Sequence, residues 1–325
     1  MSTDTDRLIE LPPQGSWPKA MHIFEERSWW AIKAALAAGR PLLLRGEPGS
    51  GKSQLARAAA FKLKRAFIST VVHARTSSED LQYNFDAVAR LGEAQTLAAR
   101  GKADQADQLL NPLRFLSPGP LWWVFDHGLA ETQTEDCPGQ HRKPLAPDGW
   151  DPIQGCVLLI DEIDKAEVDL PNGLLETLGN GAFTVPHLSE AVGINLQYAK
   201  PLIIITTNEE RELPQAFLRR CMVLHLQPPQ EPDKLIAWLI ERGEAHFSKQ
   251  CSLPVLRRAA EQLVEDRDQA RNGGLPLPGQ AEYLDLLRAL VTIAAEEKAK
   301  EVEQRQLEIL KQIQDFSLGK YEERA

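Results

Sequence analysis

At 325 residues, with 43% hydrophobic and 26% charged residues, the chain can bury a sizeable core, and its composition excludes wholesale disorder. A net charge of −9 excludes diffuse attraction to nucleic acid or anionic membrane as a default, leaving only a local basic patch as a basis for either. No apolar run approaches the length of a membrane span, and the polar opening MSTDTDRLIELPPQG is not a secretory signal, so a cytoplasmic location is expected. The four cysteines, Cys137, Cys156, Cys221 and Cys251, form no C-x-x-C pair and read as reduced structural thiols rather than a zinc site.

In chain order, Ser28 is placed to cap a short helix over Trp29–Ala38 that Gly39 would stop. Pro41 to Leu44 reads as a buried strand, and Gln54 to Leu63 as a helix with Leu55, Ala59 and Leu63 on one face. Between them GEPGSGKS, Gly46 to Ser53, fits the phosphate-loop pattern G-x-x-x-x-G-K-[ST] at every fixed position. Backbone N–H groups of such a loop, added to the partial positive charge of the following helix N-terminus, make a concave anion site. Candidate nucleotide contacts are therefore Gly46, Glu47, Pro48, Gly49, Ser50, Gly51, Lys52, Ser53 and Gln54, with Lys52 reaching the β- and γ-phosphates and the Ser53 hydroxyl ligating Mg2+.

Phe67 to Val72 is rich in β-branched residues and reads as a second strand. The polar stretch from Gly92 to Gln108 reads as an exposed helical hairpin or insertion, Leu121 to Phe125 as core, and Glu131 to Gln154 as a long surface loop. Cys156 to Ile160 is apolar without alternation, as in the buried centre of a parallel sheet. Leu174, Leu175 and Leu178 mark a helix, Gly181 to Pro186 opens a hairpin-like element, and Pro201 to Asn208 is another buried strand with a polar tip. After a strand over Met222–Leu226 and the linker Pro228-Pro229, the segments Leu235–Glu241, Leu253–Glu265 and Gln280–Gln314 read as helices of a small all-α domain.

Asp161-Glu162 follow the Cys156–Ile160 strand at once, about a hundred residues after the phosphate loop, where an aspartate is placed to hold Mg2+ and its neighbour to polarise an attacking water. Asn208 could orient that water. Arg219-Arg220, ending a short helix, offer guanidinium forks for the charge that develops as the γ-phosphate bond breaks.

GEPGSGKS, VLLIDEIDKA, IIITTNEERELP and AFLRRC resemble, in that order and spacing, the Walker A, Walker B, sensor 1 and arginine-finger regions of the AAA+ ATPases. Within that group RTSSEDLQYNFDAVARL, PGPLWWVF and LLETLGNGAFTVP look like the MoxR type, with its helix-2 insert and its hairpin before sensor 1. The resemblance implies an α/β fold, a P-loop NTPase parallel sheet sandwiched by helices over residues 1–226, followed by an all-α lid over 227–325. It also implies a Mg2+-dependent hexameric ring, with the finger, Arg219 or Arg220, supplied to a neighbour's ATP, and a backbone contact to adenine near Met21 to Phe24. Such ATPases act as chaperone-like remodelers, often beside a partner with a von Willebrand A domain; neither a membrane nor a nucleic acid is expected as a partner. Two other readings stay open, a nucleic-acid-directed AAA+ motor of restriction type and a nucleotide-controlled switch with little turnover. One departure stands out: LPGQAEYLDLL carries Gln280 and Glu282 where many AAA+ lids place a sensor 2 arginine, and Arg271 and Arg288 are poor substitutes by position.

Overall fold

The computed structural model describes residues 7–101, 105–137, 143–296 and 301–317. In chain order it has β1 (Leu8–Leu11), β2 (Ala20–Ile23), α1 (Glu26–Ala38), β3 (Leu42–Arg45), α2 (Lys52–Leu63), β4 (Ala66–Val71), α3 (Ser78–Gln82), β5 (Tyr83–Phe85), α4 (Ala87–Ala99) and α5 (Ala106–Leu109). There follow β6 (Leu116–Pro118), α6 (Pro120–Phe125), α7 (His127–Asp136), β7 (Cys156–Asp161), α8 (Asp169–Asn180), β8 (Ala182–Phe183), β9 (Val192–Gly193), β10 (Leu202–Thr207), α9 (Gln215–Leu218) and β11 (Met222–His225). The described chain closes with α10 (Pro232–Phe247), α11 (Leu253–Gly273), α12 (Gln280–Glu296) and α13 (Val302–Ser317). Two compact units interleave in sequence: one takes residues 26–44 and 56–224, the other takes 45–55 together with the described residues up to 25 and from 225 on.

The first unit is built on a five-stranded parallel sheet of order β11-β3-β10-β7-β4, flanked by helices. β7 pairs in parallel with β10 on one side and β4 on the other, Ile160 lying opposite Ile205 and Thr70. Both faces of β7 are buried, Leu158 and Ile160 on one and Val157 and Leu159 on the other, which is why the strand shows no polar alternation. Leu158, Ile160, Ile203 and Ile205 pack with Trp122, Trp123, Phe125 and Leu174, so the adjacent tryptophans are core side chains with no exposed surface.

The segment from Glu131 to Gln154 is not a free surface loop. Its first residues complete α7, which Asp126 caps by accepting the Leu129 N–H at 3.0 Å. Further on, Leu145 exchanges two backbone hydrogen bonds with Phe67 and so covers the open edge of β4. The Trp150 indole donates to the Gly155 carbonyl at 3.2 Å; residues 138–142 lie outside the described residues. The stretch expected as a helical hairpin over Gly92–Gln108 has α4 running to Ala99 and α5 starting at Ala106, with 102–104 again outside the described residues. Helix α1 starts at Glu26, so Ser28 is a buried helical residue rather than its cap. The hairpin expected from Gly181 is present as β8 and β9, antiparallel with Phe183 opposite Val192.

In the second unit β1 and β2 form an antiparallel hairpin. The Gln280–Gln314 segment is not one helix but two, α12 ending at Glu296 and α13 beginning at Val302. Leu239, Leu256, Leu263, Leu287, Leu290 and Leu310 close a helical core. α10 and α12 approach closely at Gly243, where a Cβ would lie 2.7 Å from the Tyr283 hydroxyl. Arg242, buried on α10, stacks 3.5 Å over the Trp238 ring and donates to Glu25 at 2.8 Å and to Gln280 at 3.2 Å. All four cysteines are free and buried, and burial pushes the Cys156 and Cys221 thiols up to about 12. No helix among the described residues is long and apolar enough to cross a membrane.

Candidate active site

The phosphate loop leaves the end of β3 and turns on three glycines in the positive-φ region, Gly46 at 156°, Gly49 at 73° and Gly51 at 87°. A side chain is strained at such angles, and at Gly46 a Cβ would also collide with the Leu226 carbonyl. The Leu55 N–H closes on the Gly51 carbonyl at 2.9 Å, so α2 begins within the motif, at Lys52. The Lys52 side chain is buried and its Nζ donates to the Gly46 carbonyl at 2.7 Å and the Glu47 carbonyl at 2.9 Å. Ser50 Oγ and Gln54 Oε1 are buried without a hydrogen-bond partner among the described residues. Glycine-shaped backbone, a buried ammonium and unpaired polar atoms suit a polyphosphate. The nine candidate residues from Gly46 to Gln54 all belong to this one loop and helix start.

The acidic cluster sits in the other unit, at the ends of β7 and β10. Thr206, fully buried, donates its hydroxyl to Asp161 Oδ1 at 2.5 Å and accepts the Glu162 N–H at 2.8 Å. One hydroxyl thereby fixes the Asp161 carboxylate and the Glu162 backbone. Glu162 is left-handed, with φ 61° and ψ 50°, a conformation that costs a non-glycine residue roughly 1–3 kcal/mol and that turns its side chain out of the strand's pleat. Its Oε2 accepts Lys165 Nζ at 2.6 Å, and its Oε1 accepts Asn208 Nδ2 at 3.4 Å. The Lys165 ammonium is pushed up chiefly by that hydrogen bond to Glu162.

Asp164 is the side chain beneath this cluster. It is buried, and its Oδ2 accepts the backbone N–H of Asn208 at 3.1 Å and of Glu210 at 3.0 Å. It thus ties the turn after β7 to the loop after β10, where Glu209 is also left-handed, at φ 63°. Thr206 and Asp164 did not stand out in the sequence. Thr206 reads there as one more β-former in IIITT, and the partners of Asp164 are backbone groups 44 and 46 residues away.

Arg219 and Arg220 follow α9, both exposed. The Arg219 carbonyl accepts Arg40 at 3.5 Å, while neither guanidinium forms a hydrogen bond or ion pair among the described residues. Arg271 and Arg288 form local pairs with Asp268 and Asp285 on exposed helix faces. Met21 to Ile23 lie in β2, with the backbone of Met21 in register with Glu10.

A parallel sheet carrying a glycine loop at the end of one strand and paired acids at the end of another defines a P-loop nucleoside triphosphatase. The profile of the AAA domain, dynein-related subfamily, matches residues 41–221, more than half of the chain. The chain belongs to this family and is an AAA+ ATP hydrolase. None of the curated proteins compared with the chain matches it.

Among solved structures the chain is similar to a candidate ATPase from Cytophaga hutchinsonii, 14% identical over 90% of this chain and 79% of that one, with a TM-score of 0.36. It is also similar to two variants of RuvB from Thermotoga maritima. One is 16% identical over 89% of this chain and 68% of that one with a TM-score of 0.46, the other 15% identical over 89% and 67% with a TM-score of 0.45.

Proposed function

We propose that the chain is a ring-forming, Mg2+-dependent ATPase of MoxR type that couples hydrolysis to remodelling of a protein partner in the cytoplasm. The observation that carries the hydrolytic half is the cluster in which Thr206 holds the Asp161 carboxylate and the Glu162 backbone while Asp164 holds the Asn208 backbone and Asn208 meets the Glu162 carboxylate. In this reading residues 1–226 form the nucleotide-binding domain and 227–325 the lid. The loop from Gly46 to Gln54 binds the phosphates, and Lys52 leaves its loop carbonyls for the β- and γ-phosphoryl oxygens. Ser53 and Asp161 would hold Mg2+, which would supply neutralisation of the negative charge of the triphosphate.

Glu162 takes the proton of the attacking water as oxygen bonds to the γ-phosphorus, and the bridging oxygen leaves with ADP. For this its ion pair with Lys165 must loosen, because Oε2 is held by the Lys165 ammonium at 2.6 Å and has to be released to meet the water. Asn208 orients the water.

Arg219 or Arg220 acts on the ATP of a neighbouring subunit, a role that suits exposed guanidinium groups without partners among the described residues. A closed ring is the assembly such a shared site needs, and the MoxR resemblance makes it a hexamer. The test is ATPase rate in the presence of DNA, RNA or a co-purifying protein, with particle imaging in ATP and Mg2+. Stimulation by the protein and closed rings support the reading; stimulation by nucleic acid alone, or a monomer with full activity, overturns it.

A further inference from the structure

α12 opens without an arginine, and the one buried arginine of α11 points elsewhere. Arg267 is 3% exposed, and its guanidinium meets the first variable residue of the phosphate loop: Nη1 lies 3.1 Å from Glu47 Oε2 and Nη2 lies 3.4 Å from Oε1. This is the parallel fork that an arginine and a carboxylate form when both are held. Nη1 also donates to the Pro278 carbonyl at 2.6 Å, just before α12.

A second grip is steric. A Cβ on Gly49 would lie 2.9 Å from the Ala281 Cβ, and one on Gly279 would lie 3.5 Å from the Pro48 carbonyl oxygen. Glu282 accepts the Gly279 N–H at 2.9 Å and fixes that first turn. Loop and helix start therefore touch at Pro48 and Gly49 while Arg267 holds Glu47 beside them, all within one compact unit.

A buried ion pair is weak evidence for stability, because desolvation opposes it. Here Arg267 Nε is buried with no hydrogen-bond partner among the described residues, so the pair is incompletely compensated. Its constant effect is on shape: it fixes the first half of the loop, whose carbonyls at Gly46 and Glu47 the Lys52 ammonium contacts.

We propose that Arg267 is a positioning residue for nucleotide binding: acting through Glu47, it holds the phosphate loop in its binding shape and makes the affinity for ATP depend on α11 and α12. This rests on the phosphate-loop reading of Gly46 to Ser53. The test compares ATP dissociation constants of the full chain with Arg267→Met, Arg267→Lys, Glu47→Gln and the double variant Glu47→Gln, Arg267→Met, with Lys52→Ala as the reference for a lost loop. Arg267→Met and Glu47→Gln should each weaken ATP by on the order of 10-fold. The double variant should lose no more than the worse single one, Arg267→Lys should restore part of the affinity, and KM should rise by a larger factor than kcat falls.

If Arg267→Met fails to fold, Glu47→Gln and its KM-against-kcat split decide alone, since Glu47 lies at the more exposed end of the pair. Folded variants with wild-type ATP affinity, beside a Lys52→Ala that has lost it, overturn the proposal while leaving the loop reading intact. A wild type that binds no ATP overturns both. Losses that add fully in the double variant also overturn it, because the two side chains would then act separately.

Discussion

At the scale of single residues the two acids after β7 are set apart by what surrounds them. Asp161 is fixed by the Thr206 hydroxyl and suits a metal ligand, whereas Glu162, turned out by its left-handed backbone, faces Lys165 and Asn208. Glu162→Gln should keep ATP binding and lower turnover by about 10²- to 10⁴-fold, the range over which a general base acts; a rate assay beside a binding titration checks both halves. Asp164→Ala leaves two N–H groups of the Asn208 loop unpaired, at about 1–3 kcal/mol apiece. It should cut kcat more than it raises KM, while Asp164→Asn, which keeps an acceptor, should cost less.

The His22 imidazole is lowered to about 4, by burial first and then by the charges of Arg242 and His246. Its folded value lies below its ordinary 6.5, so the unfolded chain binds the extra proton first, and stability falls as pH drops from about 6.5 toward 4. Melting temperature measured over that window should decline less steeply in His22→Gln.

At the scale of elements, strand ends account for what the sequence made legible. A non-alternating apolar strand ending in Asp161-Glu162, and another ending in Asn208, declare themselves because they follow a phosphate loop in order, where polar groups at strand ends have a nucleotide to meet. Thr206 stayed hidden because a buried threonine is an ordinary strand residue, and Arg267 because its partner lies 220 residues away. The 131–154 stretch misled through composition: its Pro, Gly and Asp read as loop, yet Asp126 lies just upstream to cap α7 and Leu145 closes a sheet edge.

The loop itself depends on an element distant in sequence. Gly49→Ala combines a positive φ with a clash against α12, and should weaken ATP binding and lower the melting point, by roughly 1–3 kcal/mol in stability. Calorimetry with and without ATP measures both.

At the scale of the whole molecule the arginines after α9 define the prediction. A subunit carrying Arg219→Ala and Arg220→Ala has intact acids, and one carrying Glu162→Gln has intact arginines. Each alone should be inactive, a finger being worth about 10³–10⁵ in rate in well-studied GTPases. Mixed, they should recover part of the activity where sites are shared, and a co-assembled mixture with none would place the arginines in the same subunit's chemistry or outside it.

The chain crosses between its two compact units at Glu25, Leu44, Leu55 and Leu224, so residues 45–55 are packed with helices made long after them. During synthesis the phosphate loop therefore emerges long before Arg267 and Ala281, the side chains that meet it at Glu47 and Gly49. A fragment ending at Leu226 would retain every residue of the nucleotide motif and lack the surfaces on which that motif rests.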